Sequence, residues 1–361
     1  MPGSTKSSTR ADAHLWITVL AGGSGSRFWP VSTPTRPKQL LPLAGARPLV
    51  VETIERARAI APDARIRILA GAALVPPLRS VLPDLGVDAY WVEPQARGTA
   101  PALAWAAWRA LREDPDAVLV SLHSDHAIRP LEAFVEGMRA AALLAERERA
   151  LVTVGVEPDR PEIGYGYLQP GARFDPADGV PAFRVSAFHE KPDLATAVGY
   201  VRAGHLWNSG IFAWRADVFL EEVRRHARGL SDALPLLDEG DVDGFFDAVT
   251  PISVDEAVLE RSDRVAAIQA PFLWDDVGSW EGLARAREAE PGENVVVGTG
   301  RVVDGGDNIV YAEGGAVILW GLSDVVAVHT AGTTLVMRRD LAPDLKRLLD
   351  RLPEHLRQAP R

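Results

Sequence analysis

Leu15-Trp16-Ile17-Thr18-Val19-Leu20-Ala21-Gly22-Gly23-Ser24-Gly25-Ser26-Arg27-Phe28-Trp29-Pro30, followed by Arg36-Pro37-Lys38-Gln39, is an apolar run that empties into a glycine-rich loop. The run reads as a buried strand. A strand ending in glycines leaves backbone N–H groups free to converge on phosphate oxygens. Arg27 and Lys38 add the positive charge that a polyphosphate and its transition state need. The pattern predicts a nucleotide-handling loop, with Leu20, Ala21, Gly22, Gly23, Gly25, Ser26, Arg27 and Lys38 as candidate contacts.

The common phosphate motifs do not fit. A dinucleotide fingerprint starting at Gly23 and Gly25 would place Phe28 at its third glycine. No lysine follows a glycine as the NTPase phosphate loop requires. Pro30, Pro34 and Pro37 predict an extended segment where such a loop would turn straight into a helix. An ordinary glycine-rich turn of an α/β protein is the competing reading.

Working outward, 361 residues suffice for one large core plus a smaller one. The absence of cysteine excludes disulfides and thiolate metal sites and fits a reducing interior. A net charge of −10 argues against a nucleic-acid surface, so any phosphate site must be built from local cations and metal. Residues 1–13 are small and polar, predicting a disordered tail that is neither signal peptide nor anchor. No apolar run is long enough for a membrane span, and cytoplasm is the expected compartment.

Strands predicted at residues 65–70, 87–92, 117–122 and 151–156 alternate with helices predicted at 49–60, 99–111 and 131–149. That alternation predicts an α/β fold, a Rossmann-like, mostly parallel sheet flanked by helices, over residues 14–290. Ligands of such sheets sit at the carboxyl ends of the strands, where the glycine loop falls. Residues 291–361 read as a small β-rich unit of short strands (295–297, 308–311, 316–319, 325–329 and 335–337) closed by a helix over 341–352.

Further candidates sit at predicted strand ends. Asp125, in His123-Ser124-Asp125-His126, is a natural Mg2+ ligand, with His126 expected to orient its loop. Asp276, in Trp274-Asp275-Asp276-Val277-Gly278-Ser279-Trp280, offers a second carboxylate. It could instead cap the following helix, unless Ser279 does so. Glu190-Lys191 suits a phosphorylated sugar, carboxylate to hydroxyls and ammonium to phosphate, or is a plain surface turn. Asn208 can bond sugar hydroxyls. Gly166 and Tyr167, in Gly164-Tyr165-Gly166-Tyr167, supply a close backbone approach, although both tyrosines could equally be core residues. Glu93, Gln95, Gly98 and Thr99 open a helix beside the glycine loop and form a candidate base pocket, or simply a helix start with Thr99 as its cap.

Taken together, these motifs resemble the sugar-phosphate nucleotidyltransferases, most closely the mannose-1-phosphate guanylyltransferases, over nearly the whole chain. The resemblance rests on Leu20 to Pro30 with Arg36 to Gln39, then Ser124-Asp125-His126, Gly164 to Tyr167, Glu190-Lys191-Pro192, Trp207 to Phe212 and Asp276 to Trp280. It implies the nucleotidyltransferase fold with a small β-helix-like C-terminal domain used for homodimer contacts. It also implies GTP and mannose 1-phosphate as substrates and Mg2+ held by Asp125 and Asp276. Arg27 would hold the leaving diphosphate, Lys38 and Lys191 the reacting phosphates, and Glu190 and Asn208 the sugar. The chain is expected to lack the isomerase domain of longer relatives. Two positions depart from the pattern. Gly98 stands where Asn is usual, which opens base choice toward glucose 1-phosphate with dTTP or ATP, and His123 stands where Pro is usual. A catalytically silent GDP-mannose sensor is the reading from another class, disfavoured by the intact Arg27, Lys38, Asp125 and Asp276. A nicotinamide oxidoreductase is disfavoured by Phe28.

Overall fold

A computed structural model of the protein describes residues 13–23, 26–177, 179–330 and 332–357. Gly25 and all but the last residue of the expected tail therefore lie outside the described residues. The strands are β1 (Leu15–Leu20), β2 (Ile66–Gly71), β3 (Tyr90–Glu93), β4 (Val118–His123), β5 (Ala127–Arg129), β6 (Leu151–Val156), β7 (Tyr167–Arg173), β8 (Ala182–His189), β9 (Leu206–Arg215), β10 (Val265–Gln269), β11 (Leu273–Asp275), β12 (Val295–Val303), β13 (Ile309–Trp320), β14 (Val325–Thr330) and β15 (Thr333–Arg338). The central sheet has nine strands in the order β3-β2-β1-β4-β9-β6-β10-β8-β7. All run one way except β8 and β9, so the expected mostly parallel sheet is present.

β1 is buried along its whole length because both faces of the sheet are covered. Leu15, Ile17 and Val19 pack with Val50 and Ile54 of the helix Leu49–Arg58 and with Phe134 and Met138 of the helix Leu131–Glu148. The alternate residues Trp16 and Leu20 face the helices Thr99–Glu113 and Ala216–His226 through Leu103, Ala107 and Phe219.

Some predicted elements shift. Val87–Ala89 is a 3-10 turn, and the strand expected at 87–92 runs Tyr90–Glu93. The proline-rich segment is not extended, since 3-10 turns form at Ser26–Phe28 and Lys38–Leu40 and Thr33 bridges to Arg36. The strands expected at 308–311 and 316–319 are one strand, β13. The closing helix starts as a 3-10 segment, Arg339–Asp344, before Leu345–Arg351.

β12, β13 and β14 pair in parallel without intervening helices, the stacked-coil geometry of a β-helix, and β15 closes the sheet antiparallel. Asn308, fully buried, ties the coils together. Its Nδ2 donates to Asn294 Oδ1 at 2.9 Å and to the Leu322 carbonyl at 2.8 Å, and its Oδ1 accepts the Val325 N–H at 3.0 Å. We predict that Asn308→Ala lowers stability by about 3 kcal/mol, because buried partners are left unpaired. Urea unfolding checks this, and an unchanged midpoint would mean that the ladder is not structural.

Candidate active site

The parallel registers Leu20↔His123, Leu20↔Leu69 and Gly71↔Glu93 bring the ends of β1, β4, β2 and β3 to one edge. A cavity of about 350 Å³ opens there, lined by the predicted Leu20, Gly22, Gly23, Glu93, Gly98 and Thr99 together with His123. Gln39 anchors the loop, its Nε2 donating to the Ala21 carbonyl at 2.9 Å. Ala21 is buried, whereas Gly22, Gly23 and Arg27 are exposed. Burial pushes the Glu93 carboxyl up to about 7.

Three expectations about this pocket change. Gln95 turns its amide to Asp247 and does not line the cavity. Thr99 is the first helical residue rather than the cap, and its hydroxyl accepts the Val254 N–H at 2.9 Å. Gly98 is fixed by the backbone. Its φ is +87°, and a Cβ there would lie 2.4 Å from the Ile252 carbonyl oxygen, so a side chain is excluded by geometry.

The two acidic turns meet because β5 pairs with β11 in the register Ala127↔Asp275. Lys38, nearly buried, spans them. Its Nζ is 2.7 Å from Asp125 Oδ2 and donates to the Asp276 carbonyl at 2.6 Å. Burial opposes ionisation of Asp125, but the Lys38 ammonium hydrogen-bonded to it leads the charges that outweigh burial and hold its pKa at about 2. Ser279 caps the helix Trp280–Ala286, accepting the Gly282 N–H at 3.3 Å, which frees Asp276 from that task. His126 accepts the Trp274 Nε1–H at 3.0 Å, which links its loop to β11. His123, Asp125 and His126 offer ligand atoms within 4.8 Å of one another. Burial keeps both imidazoles neutral by lowering their pKa values. The arrangement fits a divalent cation, because the Lys38 ammonium already occupies a cationic position between oxygens of both aspartates.

The sugar-side candidates also converge. The Asn208 N–H donates to the Gly166 carbonyl at 2.8 Å, and a Cβ on Gly166 would lie 2.8 Å from Glu190 Oε2, so the close approach is real. Lys191, at φ +42°, donates to Glu190, which raises the pKa of its ammonium. Tyr167 is corrected to a core residue: fully buried, it donates its hydroxyl to the Glu162 carbonyl at 2.9 Å, leaving only its backbone near the site. The hydroxyl that reaches the site belongs to Tyr165, 2.6 Å from Asp276 Oδ1. Asp255 escaped the sequence reading. Burial and then Glu190 push its carboxyl up to about 6, and it accepts Asn208 Nδ2–H at 2.8 Å while Asn208 Oδ1 accepts from Thr153 at 2.7 Å.

Residues 17–291 match the Nucleotidyl transferase family and residues 295–352 the MannoseP isomerase/GMP-like beta-helix domain. The mannose-1-phosphate guanylyltransferase of Escherichia coli (strain K12) is 35% identical over 357 residues, spanning 95% of this chain and 74% of that protein. This chain belongs to the mannose-1-phosphate guanylyltransferase family. Xanthan biosynthesis protein XanB of Xanthomonas campestris pv. campestris (strain B100) is 38% identical over 348 residues, 92% of this chain and 72% of that protein. A crystal structure from Thermus thermophilus, described as a mannose-1-phosphate geranyltransferase, superposes with a TM-score of 0.86 at 33% identity, covering 94% of this chain and 99% of that one.

The chain is thus a nucleotidyltransferase of the guanylyltransferase family, and Gly98 and His123 are features of a family member. Among the described residues, no helix is long and apolar enough to cross a membrane. Glu93 supplies a test of the pocket. The unfolded carboxyl titrates near 4.5 and the folded one near 7, so the native state binds the extra proton between those values. Stability therefore falls as pH rises through that window. Relative to Glu93→Gln, the parent should lose on the order of 3 kcal/mol between about pH 4.5 and about pH 8. Parallel urea-midpoint profiles for the two proteins would show that Glu93 is solvated.

Proposed function

We propose that this nucleotidyltransferase joins GTP and mannose 1-phosphate into GDP-mannose and diphosphate. The observation that supports it best is the Lys38 ammonium, held between the Asp125 carboxylate and the Asp276 carbonyl. In this reading a mannose 1-phosphate oxygen attacks the α-phosphorus of GTP in line. The bond to the bridging oxygen breaks, and diphosphate leaves from the opposite face. The attacking oxygen is already anionic, so neither a general base nor a covalent enzyme intermediate is needed.

In this reading each residue has its own part. The backbone N–H groups of Gly22 and Gly23 face the triphosphate, and Arg27, exposed on the loop, takes the leaving diphosphate. Lys38 and Lys191 neutralise the reacting phosphates, and Glu190 and Asn208 bond sugar hydroxyls. Asp125 and Asp276 would hold Mg2+. Bound there, Mg2+ would neutralise phosphate charge and orient the reacting oxygens. Guanine presents adjacent N1–H and N2–H donors, and the Glu93 carboxyl in the cavity, which ionises near pH 7, is the matching acceptor in its ionised form. That match supports GTP even though Gly98 offers no side chain. We assign this chemistry to residues 14–290, in the cytoplasm, with residues 291–361 as a supporting unit and homodimer contact.

A grid assay of diphosphate release tests the substrates, pairing GTP, ATP, dTTP, UTP and CTP with mannose 1-phosphate or glucose 1-phosphate. Release is expected with GTP and mannose 1-phosphate. Release confined to another pair would overturn the substrate, and silence with GDP-mannose still binding would favour a sensor. Lys38→Ala is expected to lower kcat about 100- to 1,000-fold, the scale of removing one preorganised charge-stabilising donor. An unchanged kcat under saturation would remove Lys38 from the mechanism.

A further inference from the structure

We propose that Tyr165 is a positioning residue for Asp276, fixing which carboxylate oxygen is presented to a divalent cation. The inference rests on reading Asp276 as a cation ligand. Asp276 Oδ1 accepts two hydrogen bonds, from the Tyr165 hydroxyl at 2.6 Å and from the Gly278 N–H at 2.9 Å. Oδ2 receives no hydrogen bond among the described residues. Rotation of the carboxylate would break both bonds to Oδ1. The backbone of the same residue is also held, because its carbonyl accepts from Lys38 at 2.6 Å. An oxygen kept clear of donors while its twin is saturated is oriented for a cation, as partners behind metal ligands orient them elsewhere.

Tyr165 can hold this position because its ring cannot swing. Trp207 lies edge-on at 5.2 Å and 81°, and Trp274 at 5.3 Å and 68°. Trp207 immediately precedes Asn208, and Trp274 donates to His126 beside Asp125. The next residue, Gly166, is pressed close to Glu190. Tyr165 therefore stands between the strands that carry the sugar-side and cation-side candidates. Plain packing would need only the ring, which phenylalanine supplies equally well. The hydroxyl is what distinguishes the two roles.

The test compares the full-length parent with Tyr165→Phe, Asp276→Asn and the double variant. Mn2+ is titrated in the presence of GDP-mannose, and free Mn2+ is read by electron paramagnetic resonance. Tyr165→Phe is expected to weaken Mn2+ about tenfold or more. Asp276→Asn is expected to weaken it further, and adding Tyr165→Phe to it should cost nothing more, because the two residues act as a unit. If the parent binds no Mn2+, or Asp276→Asn binds it normally, the reading of Asp276 fails and the proposal falls with it. If Asp276→Asn weakens binding while Tyr165→Phe does not, that reading survives and the positioning role is overturned. Fully additive losses would also overturn it, placing the Tyr165 effect elsewhere. Thermal unfolding of Tyr165→Phe supplies the structural control: a lowered midpoint with intact Mn2+ affinity would reduce Tyr165 to a packing residue.

Discussion

Lys38 is the tie on which the site depends. Its ammonium bridges a carboxylate at the end of β4 and a backbone carbonyl after β11, segments far apart in sequence. A buried ammonium is tolerated only with close anionic or carbonyl partners, and here both are within 2.7 Å. The same contact helps keep Asp125 ionised despite its burial. Truncating Lys38 would leave two half-buried acceptors without their shared donor, as well as removing the charge proposed to act on the phosphates.

The electrostatics of the whole molecule give that tie its meaning. A protein of net charge −10 repels a triphosphate and a sugar phosphate alike. In the site the Lys38 ammonium is already matched by the Asp125 carboxylate, and the Asp276 carboxylate adds a further negative charge beside it. Arg27 and Lys191 are exposed and can meet phosphates, but their charge does not offset that of both substrates. A divalent cation held by Asp125 and Asp276 would close the deficit, and for that reason positions of oxygen atoms, more than any acid or base, decide the chemistry proposed here.

Much of this was legible from local sequence. β6 coincides with its predicted span, 151–156, because a mostly apolar, β-branched run, broken only by Thr153 and Gly155, ends at Glu157-Pro158. The six cavity residues were legible because β1 and β3 end where their apolar runs end. What escaped depends on distant partners. Asp255 meets Asn208 across 47 positions, and Tyr165 meets Asp276 across 111, so no window of sequence shows either pair. Tyr167 was misplaced for the same reason: it opens β7 and is buried there, whereas Tyr165 lies in the bend before the strand and meets a partner far along the chain. Thr99 was read as a cap because its type suits one, whereas Gly98 takes that position at a φ that a threonine resists.

The small β-rich unit belongs to this account because the acidic turn is built on it. Val277, a β-branched residue at φ +47°, sits in a conformation that is costly outside glycine, and it is fully buried. Such a backbone persists only where its surroundings over-determine it. Trp280, three residues on, packs edge-on against Phe28 of the signature loop at 5.0 Å and against Tyr311 of β13 at 5.9 Å. Arg339 grips Glu281 of the same helix through two hydrogen bonds, at 2.7 and 2.9 Å. Arg36 reaches from the signature segment to Glu313, also on β13. One core therefore sets the loop bearing Lys38 and the turn bearing Asp276 against a common support. Gly22 and Gly23 can stay exposed because the residues that follow the loop are anchored in that core.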